Sequence, residues 1–338
     1  MTARGAFMKY NADFRGIDRS ASPTLPPAPG FQGYEEYQQQ VRLWMAWITW
    51  EKEDPLVLKD DEPSTFVTRI VFVYKQAVMS LRYWPQMWVD AADYCFENGT
   101  ADDGMDFLKR GISANPESCL LTFRLAERVE MLLSRGDGDA EIKRQGALVR
   151  APYDALLNCL YDHLDRQKSK HAAAVQAVSL QAISNPPSPH RPEETFQQSH
   201  RDTEEQPKLS EDRSARILQL LKEGFDAQNR ITCRVITFVW IALLRAMRRV
   251  QGKGSVNSEV GGCRQIFSDA RKRGRVTSEI YVASALIEWH CYKDPAGTKI
   301  FERGMKLFPA DGPFAIEYLK HLISLNDVTS KCCGGSSR

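Results

Sequence analysis

From Tyr34 to about Arg166, apolar residues recur at steps of three and four, as in Trp88, Ala91, Ala92, Cys95 and Phe96. That spacing places them on one face of an α-helix. Short turn signals cut the run into pieces of helix length: Asp54-Pro55, Asp61-Glu62-Pro63, Trp84-Pro85, Asn98-Gly99, Asn115-Pro116, Gly136-Asp137-Gly138 and Ala151-Pro152. The same periodicity resumes near Ser214 and continues to about Asn326. No stretch alternates apolar and polar residues as a half-buried strand would, so the chain reads as all-α.

Between and beyond these blocks the pattern fails. Residues 1–33 carry Pro23, Pro26, Pro27 and Pro29 and read as a flexible lead-in. Residues 167–212 mix Pro186, Pro187, Pro189 and Pro192 with Ser, His, Gln and Glu, and have almost no large apolar side chain after Ile183. Such a segment buries too little apolar area to offset its ordering entropy and is expected to be disordered. Residues 329–338 form a Cys/Gly/Ser tail, also expected to be disordered. The expected organisation is therefore an N-terminal helical block at 34–166 and a C-terminal one at 213–328.

Within the blocks the chain repeats itself. Gln265-Ile266-Phe267-Ser268-Asp269-Ala270 recurs as Lys299-Ile300-Phe301-Glu302-Arg303-Gly304, at a spacing of 34 residues. A weaker copy at the same spacing joins Tyr74-Lys75-Gln76-Ala77 to Leu108-Lys109-Arg110-Gly111. Each pairs a large side chain with a small one three positions on, and on a helix those two share a face. The small residue admits a neighbouring helix and the large one fills the groove beside it. A second kind of helix precedes each copy: Trp44, Trp47 and Trp50; Trp88, Ala91 and Tyr94; Phe238, Ile241 and Leu244; Tyr281, Ser284 and Ile287. Helix pairs of this period stack into an α-α superhelix, each burying its face on its neighbours. The expected interface positions are Trp44, Trp47, Trp50, Tyr74, Ala77, Trp88, Tyr94, Phe267, Ala270, Tyr281, Phe301 and Gly304.

Composition narrows the reading further. The 338 residues hold 45 Lys and Arg against 43 Asp and Glu, a net charge of only +2, which argues against a whole-molecule grip on nucleic acid. No apolar run is long enough to span a bilayer, and the N-terminus has no signal-peptide core. The eight cysteines form no CxxC pair and read as reduced, mostly buried thiols of a cytosolic or nuclear protein.

With the repeat in view, the order Trp44-x-x-Trp47-x-x-Trp50-Glu51-Lys52, Asp54-Pro55-Leu56 and Arg69-x-x-Phe72-x-Tyr74-x-Gln76 resembles the HAT (half-a-TPR) repeats of the suppressor-of-forked family. Pro85-x-x-Trp88-x-x-Ala91-Ala92-x-Tyr94, Phe238-Val239-Trp240-Ile241 and the run from Ile266 to Glu302 are similar to the same family, whose likeness covers about residues 34–160 and 210–328. These proteins are the large HAT-repeat subunit of metazoan cleavage stimulation factor and of fungal cleavage factor IA. The resemblance implies a nuclear, non-catalytic scaffold of pre-mRNA 3′-end cleavage and polyadenylation, which also occurs in the cytoplasm. Such a scaffold dimerises through its C-terminal HAT half and holds an RNA-binding subunit, so that its own contact with RNA is mainly indirect. Further repeats are expected where the pattern stops after about Asp327, so the chain reads as a fragment. A HAT scaffold of splicing or of ribosome biogenesis is the alternative.

Few residues offer chemistry of their own. Asp102-Asp103-Gly104-Met105-Asp106 matches DDxxD, which in all-α prenyl-transfer enzymes holds Mg²⁺, but after the Asn98-Gly99 turn it reads as helix-start acids complementing the dipole. Its partner motif is missing, since Asn326-Asp327-x-x-Ser330 is followed by Gly334 where a carboxylate is needed. Arg245, Arg248 and Arg249, with Lys253 beyond them, form a weak phosphate or RNA patch or else a solvated helix end. Arg271-Lys272-Arg273-Gly274-Arg275 reads as a helix cap or a nuclear localisation signal. His163, His171, His190, His200, His290 and His321 show no ligand spacing, and Gly252-x-Gly254 lacks the rest of a nucleotide loop. No catalytic residue, cofactor or metal site is expected.

Overall fold

Prolines open two of the first helices at no cost in hydrogen bonds, because a first-turn N–H has no helical partner to lose. The computed structural model describes the backbone of residues 3–19, 22–133, 138–184 and 205–333, and the side chains of all but 3, 181–184, 205–213 and 326–333 of these. After α1 (Ala3–Asp13) come α2 (Tyr34–Lys52), α3 (Pro63–Ser80), α4 (Pro85–Glu97), α5 (Ala101–Ala114) and α6 (Cys119–Met131). Pro63 and Pro85 stand at the first helical positions, and the Ser118 hydroxyl accepts from Leu121 N–H at the start of α6. Next follow α7 (Asp139–Ser184), α8 (Glu205–Gln251), α9 (Gly262–Arg273) and α10 (Glu279–Leu286), which runs on as a π-helical turn at Ile287–Cys291. The last two are α11 (Ala296–Leu307) and α12 (Gly312–Cys333). Among the described residues there is no strand, and the fold is a helical repeat.

The chain divides into two compact units, Met1–Gly136 with Ala147–Leu156 and Asp137–Gly146 with Leu157–Arg338. In unit 1 each of α2 to α5 packs on the next helix, and α4 also packs on α6, one repeat further on. Unit 2 shows the same order: α8, α10 and α12 touch in succession, while α9 and α11 fill the places between. The starts of α9 and α11, Gly262 and Ala296, lie 34 residues apart, and so do those of α4 and α6, Pro85 and Cys119. The sequence period is thus one helix pair.

Four details depart from the sequence reading. Residues 3–13 of the expected lead-in are helical, because Tyr10 and Phe14 pack on Trp47 and Trp50 with ring centroids 5.1–6.3 Å apart and Ala6 is buried. That aromatic burial supports a helix too short to stand alone. Pro152 does not break the chain but sits inside α7, where Tyr153, Leu156, Leu157 and Leu160 are all buried. Tertiary burial there outweighs the one lost backbone hydrogen bond. The segment expected to be disordered at 167–212 is helical to Ser184 and again from Glu205, since Ala172, Ala173 and Ala174 and the charged residues after Glu205 are strong helix formers. Pro186, Pro187, Pro189 and Pro192 lie outside the described residues, and Pro207 falls in the first turn of α8. Finally, α12 reaches Cys333, into the expected tail.

Candidate functional site

The repeat ridge is the best-defined feature of both units. Trp44, Trp47, Trp50, Tyr74, Ala77, Trp88, Tyr94, Phe267, Ala270, Tyr281, Phe301 and Gly304 are all buried. They meet across helix pairs: Tyr74 lies 5.8 Å from Tyr94, Trp88 meets Phe107 edge-on at 6.3 Å, and Phe267 meets Tyr281 edge-on at 5.3 Å. Small residues set the approach distance. A Cβ on Gly111 would stand 3.0 Å from the Trp88 side chain, and one on Gly304 only 2.3 Å from Phe314 Cζ. A side chain at Gly304 would thus force Phe314 to move, and one at Gly111 would crowd Trp88.

Of the ridge expected on α8, Leu244 is buried, Ile241 half-buried and Phe238 exposed. Phe238 is 55% exposed, and Ile236, Val239, Trp240, Leu243, Leu244 and Met247 are the buried residues. That series also runs at three- and four-residue steps, but Phe238 drew the pattern off by two positions. The cysteines differ as well: of the six with described side chains only Cys95 and Cys263 are buried, and Cys291 is exposed.

Among the described residues, each unit buries one carboxylate against an arginine. In unit 1 Glu51, 6% exposed, accepts from Trp47 Nε1 at 3.2 Å and from Arg69 Nη2 at 3.0 and 3.1 Å. Lys52 beside it donates to the Tyr74 hydroxyl at 3.0 Å and sits over the Tyr74 and Tyr94 rings. Burial pushes the Tyr94 hydroxyl up to about 12, so it stays protonated. In unit 2 Glu288, 3% exposed, accepts from Arg264 Nε and Nη2 at 2.7 and 2.8 Å. Arg264 also reaches Asp294 at 2.9 Å, and Asp294 accepts from Lys253 at 2.6 Å. Lys253, the Ala296 N–H and Arg264 hold the Asp294 carboxyl down at about 2.

These pairings remove several candidates from solution chemistry. Lys253 is committed to Asp294 and does not extend the basic patch, in which Arg245 and Arg249 are exposed and Arg248 is half-buried. Asp102 and Asp106 are exposed on the first turns of α5, Asp103 is half-buried, Asp103 faces Lys75 at 3.6 Å, and Asp106 faces Arg110 at 3.2 Å. Among the described residues no three His, Cys, Asp or Glu side chains converge as a metal site. His321 is buried against Phe301 and shares a hydrogen bond with Thr298 at 2.9 Å; His190 and His200 lie outside the described residues. Arg271 lies over Phe267 of its own helix, and Arg273 over Tyr161 of α7, so the end of α9 is packed on α7.

Apolar side chains also stand outside the ridge. A cleft of about 680 Å³ opens between α1, α2 and α3 of unit 1, with Phe7 and Phe72 exposed on its walls and Glu51 and Arg69 in its lining. On α12 of unit 2, Ile316, Leu319 and Ile323 are exposed at steps of three and four. No described helix is long and apolar enough to cross a membrane.

Known proteins share this arrangement of sequence. The chain is 48% identical over 332 residues to the "mRNA 3′-end-processing protein rna14" of Aspergillus fumigatus, a match covering 97% of the chain and 31% of that relative. The Neurospora crassa protein of that description is 44% identical over 98% of the chain and 28% of its own length, and that of Yarrowia lipolytica 31% identical over 94% and 30%. The chain thus spans about three tenths of the relatives it matches. Residues 1–331 match the Suppressor of forked protein family, and the chain belongs to that family.

Proposed function

We propose that the chain works as a non-catalytic scaffold in pre-mRNA 3′-end cleavage and polyadenylation. Protein partners assemble on its helical repeats, an RNA-binding subunit among them, and it acts in the nucleus. The observation that carries this reading is the 44–48% identity to filamentous-fungal 3′-end-processing proteins over nearly the whole chain. The architecture supports it. Conserving the chemistry of a site is not what the buried aromatic and small residues do; they hold helices at fixed spacing, and the exposed apolar residues Phe72, Ile316, Leu319 and Ile323 supply surface for partners. Asp102 and Asp103 sit in the first turn of α5, where they complement its dipole, and Asp106 pairs with Arg110.

Affinity purification of the tagged chain from a filamentous fungus tests the proposal. Cleavage and polyadenylation subunits are expected to copurify. Recovery of spliceosomal or ribosome-biogenesis proteins without them would overturn it. Sedimentation of the purified chain tests whether it self-associates, as the family resemblance implies for its C-terminal repeats.

A further inference from the structure

Unit 2 contains a cleft of about 480 Å³ that the repeat ridge does not use. It lies between α7, α8 and the turn that follows α9, and its chemistry is one-sided. Lys168, Arg273 and Arg275 line it together with His171 and Asn229, against one carboxylate, Asp165. Among the described residues neither Lys168 nor Arg275 has an ion-pair partner.

The cationic turn is held in place by buried chemistry. The Tyr161 hydroxyl donates to the Gly274 carbonyl at 2.7 Å and accepts from Trp240 Nε1 at 3.2 Å. The Arg273 guanidinium lies 4.0 Å from the Tyr161 ring centroid and donates to Asn158 Oδ1 at 2.8 Å. Gly274 takes φ 75° and Arg275 φ 58°, the left-handed region that non-glycine residues seldom adopt. The Thr277 N–H closes the turn by donating to the buried Thr237 hydroxyl at 2.8 Å. The left-handed turn and its hydrogen bonds thus hold the Arg273 guanidinium over Tyr161 and carry Arg275 to the same cleft.

An aromatic wall stands in the same cleft. The His171 and Phe225 rings stack at 4.3 Å with 20° between their planes, and both side chains are half-buried. Cations beside a flat aromatic face match the two parts of a nucleotide, its phosphate and its base. A phosphoserine or phosphothreonine peptide would engage the cations alone. We propose that this cleft is a subsite for single-stranded RNA, with a phosphate on Lys168, Arg273 and Arg275 and a base against Phe225. This contact is direct, whereas the scaffold reading needs none, so its failure leaves that reading standing.

The test is fluorescence anisotropy of the full chain with a labelled oligouridine, titrated across salt concentrations. The wild-type chain is expected to bind with a log–log salt dependence of negative slope. K168Q/R275Q, at two exposed positions, weakens binding about tenfold or more and flattens the slope by about 0.7 to 1, the value for one lost phosphate contact. F225L weakens binding about fivefold or more and leaves the slope unchanged, because stacking releases no counterions. K299Q/K306Q, at two exposed positions outside the cleft, leaves affinity unchanged, and thermal melting checks that each variant is folded. Three results would overturn the proposal: no binding by the wild type, wild-type affinity in K168Q/R275Q, or competition by a phosphorylated peptide that matches unlabelled RNA with no effect of F225L.

Discussion

Glu51 in unit 1 and Glu288 in unit 2 are both buried acids near the end of a first-of-pair helix, yet they are neutralised from opposite directions. Arg69 comes from α3, the helix after Glu51, whereas Arg264 comes from α9, the helix before Glu288. The Asp-Pro turns that follow diverge in the same way. Asp54 turns its carboxylate on its own loop and accepts from Leu58 and Lys59 N–H at 2.8 Å each. Asp294 caps Ala296 with one oxygen and gives the other to Lys253 and Arg264. What the repeat preserves is a buried carboxylate with a guanidinium over it, and each unit finds that guanidinium where its own neighbours allow. A local motif in one unit has become a long-range network in the other.

Mutations sharpen this contrast. The largest expected losses are at the ridge common to both units. Trp88→Ala and Phe301→Ala should each cost about 3–5 kcal/mol, as for large aromatic deletions in a core. Urea denaturation followed by circular dichroism measures this, and a loss under about 1 kcal/mol would mean that the ring is not interface core. Next come the arginines. Arg264→Leu leaves Glu288 buried without its cation and is expected to cost about 3–5 kcal/mol. Arg69→Leu should cost less, about 2 kcal/mol, because Trp47 still donates to Glu51 and Arg69 serves one carboxylate rather than two. Equal losses would erase the distinction between clamp and network.

Acid probes the same difference more gently. Asp294 titrates at about 2 in the folded chain, below the ordinary 3.8. A depressed carboxyl contributes stability that is complete above its unfolded value and is lost as pH falls through the folded one. Stability held by Asp294 should therefore fade between about pH 4 and pH 2, and Asp294→Asn should flatten that limb of a urea-midpoint profile against pH. Asp54 is also lowered: desolvation raises it, but the backbone donors at Leu58 and Lys59 outweigh that. Held by the N–H groups of its own loop and by no guanidinium, Asp54 should shift the profile less when changed to Asn.

The contrast also shows what a sequence can disclose. The 34-residue period, the tryptophan steps and the proline-led helix starts were legible because each is a local pattern. The face of α8 was not, since Phe238 and Trp240 offer two competing registers and only packing chooses between them. Pro152 inside α7 and the short α1 depend on tertiary burial that no local window contains. The cleft in unit 2 was invisible for a related reason. Tyr161, Phe225 and Arg273 are far apart along the chain, and the basic run at 271–275 gave no sign of the tyrosine that fixes it. Of the residues first marked for phosphate, Arg245, Arg248 and Arg249 do not line that cleft.

Glycine at the ridge gives the most direct test, because the sign of the effect decides it. On a free helix surface Gly→Ala stabilises by up to about 1 kcal/mol. Gly304 faces Phe314, which is 1% exposed and packed against Phe301 and Phe308, so its ring has no room to yield. Stacked helix pairs therefore predict that Gly304→Ala lowers the stability of the chain in urea by about 1–3 kcal/mol. A gain in stability would contradict the packing on which the whole account stands.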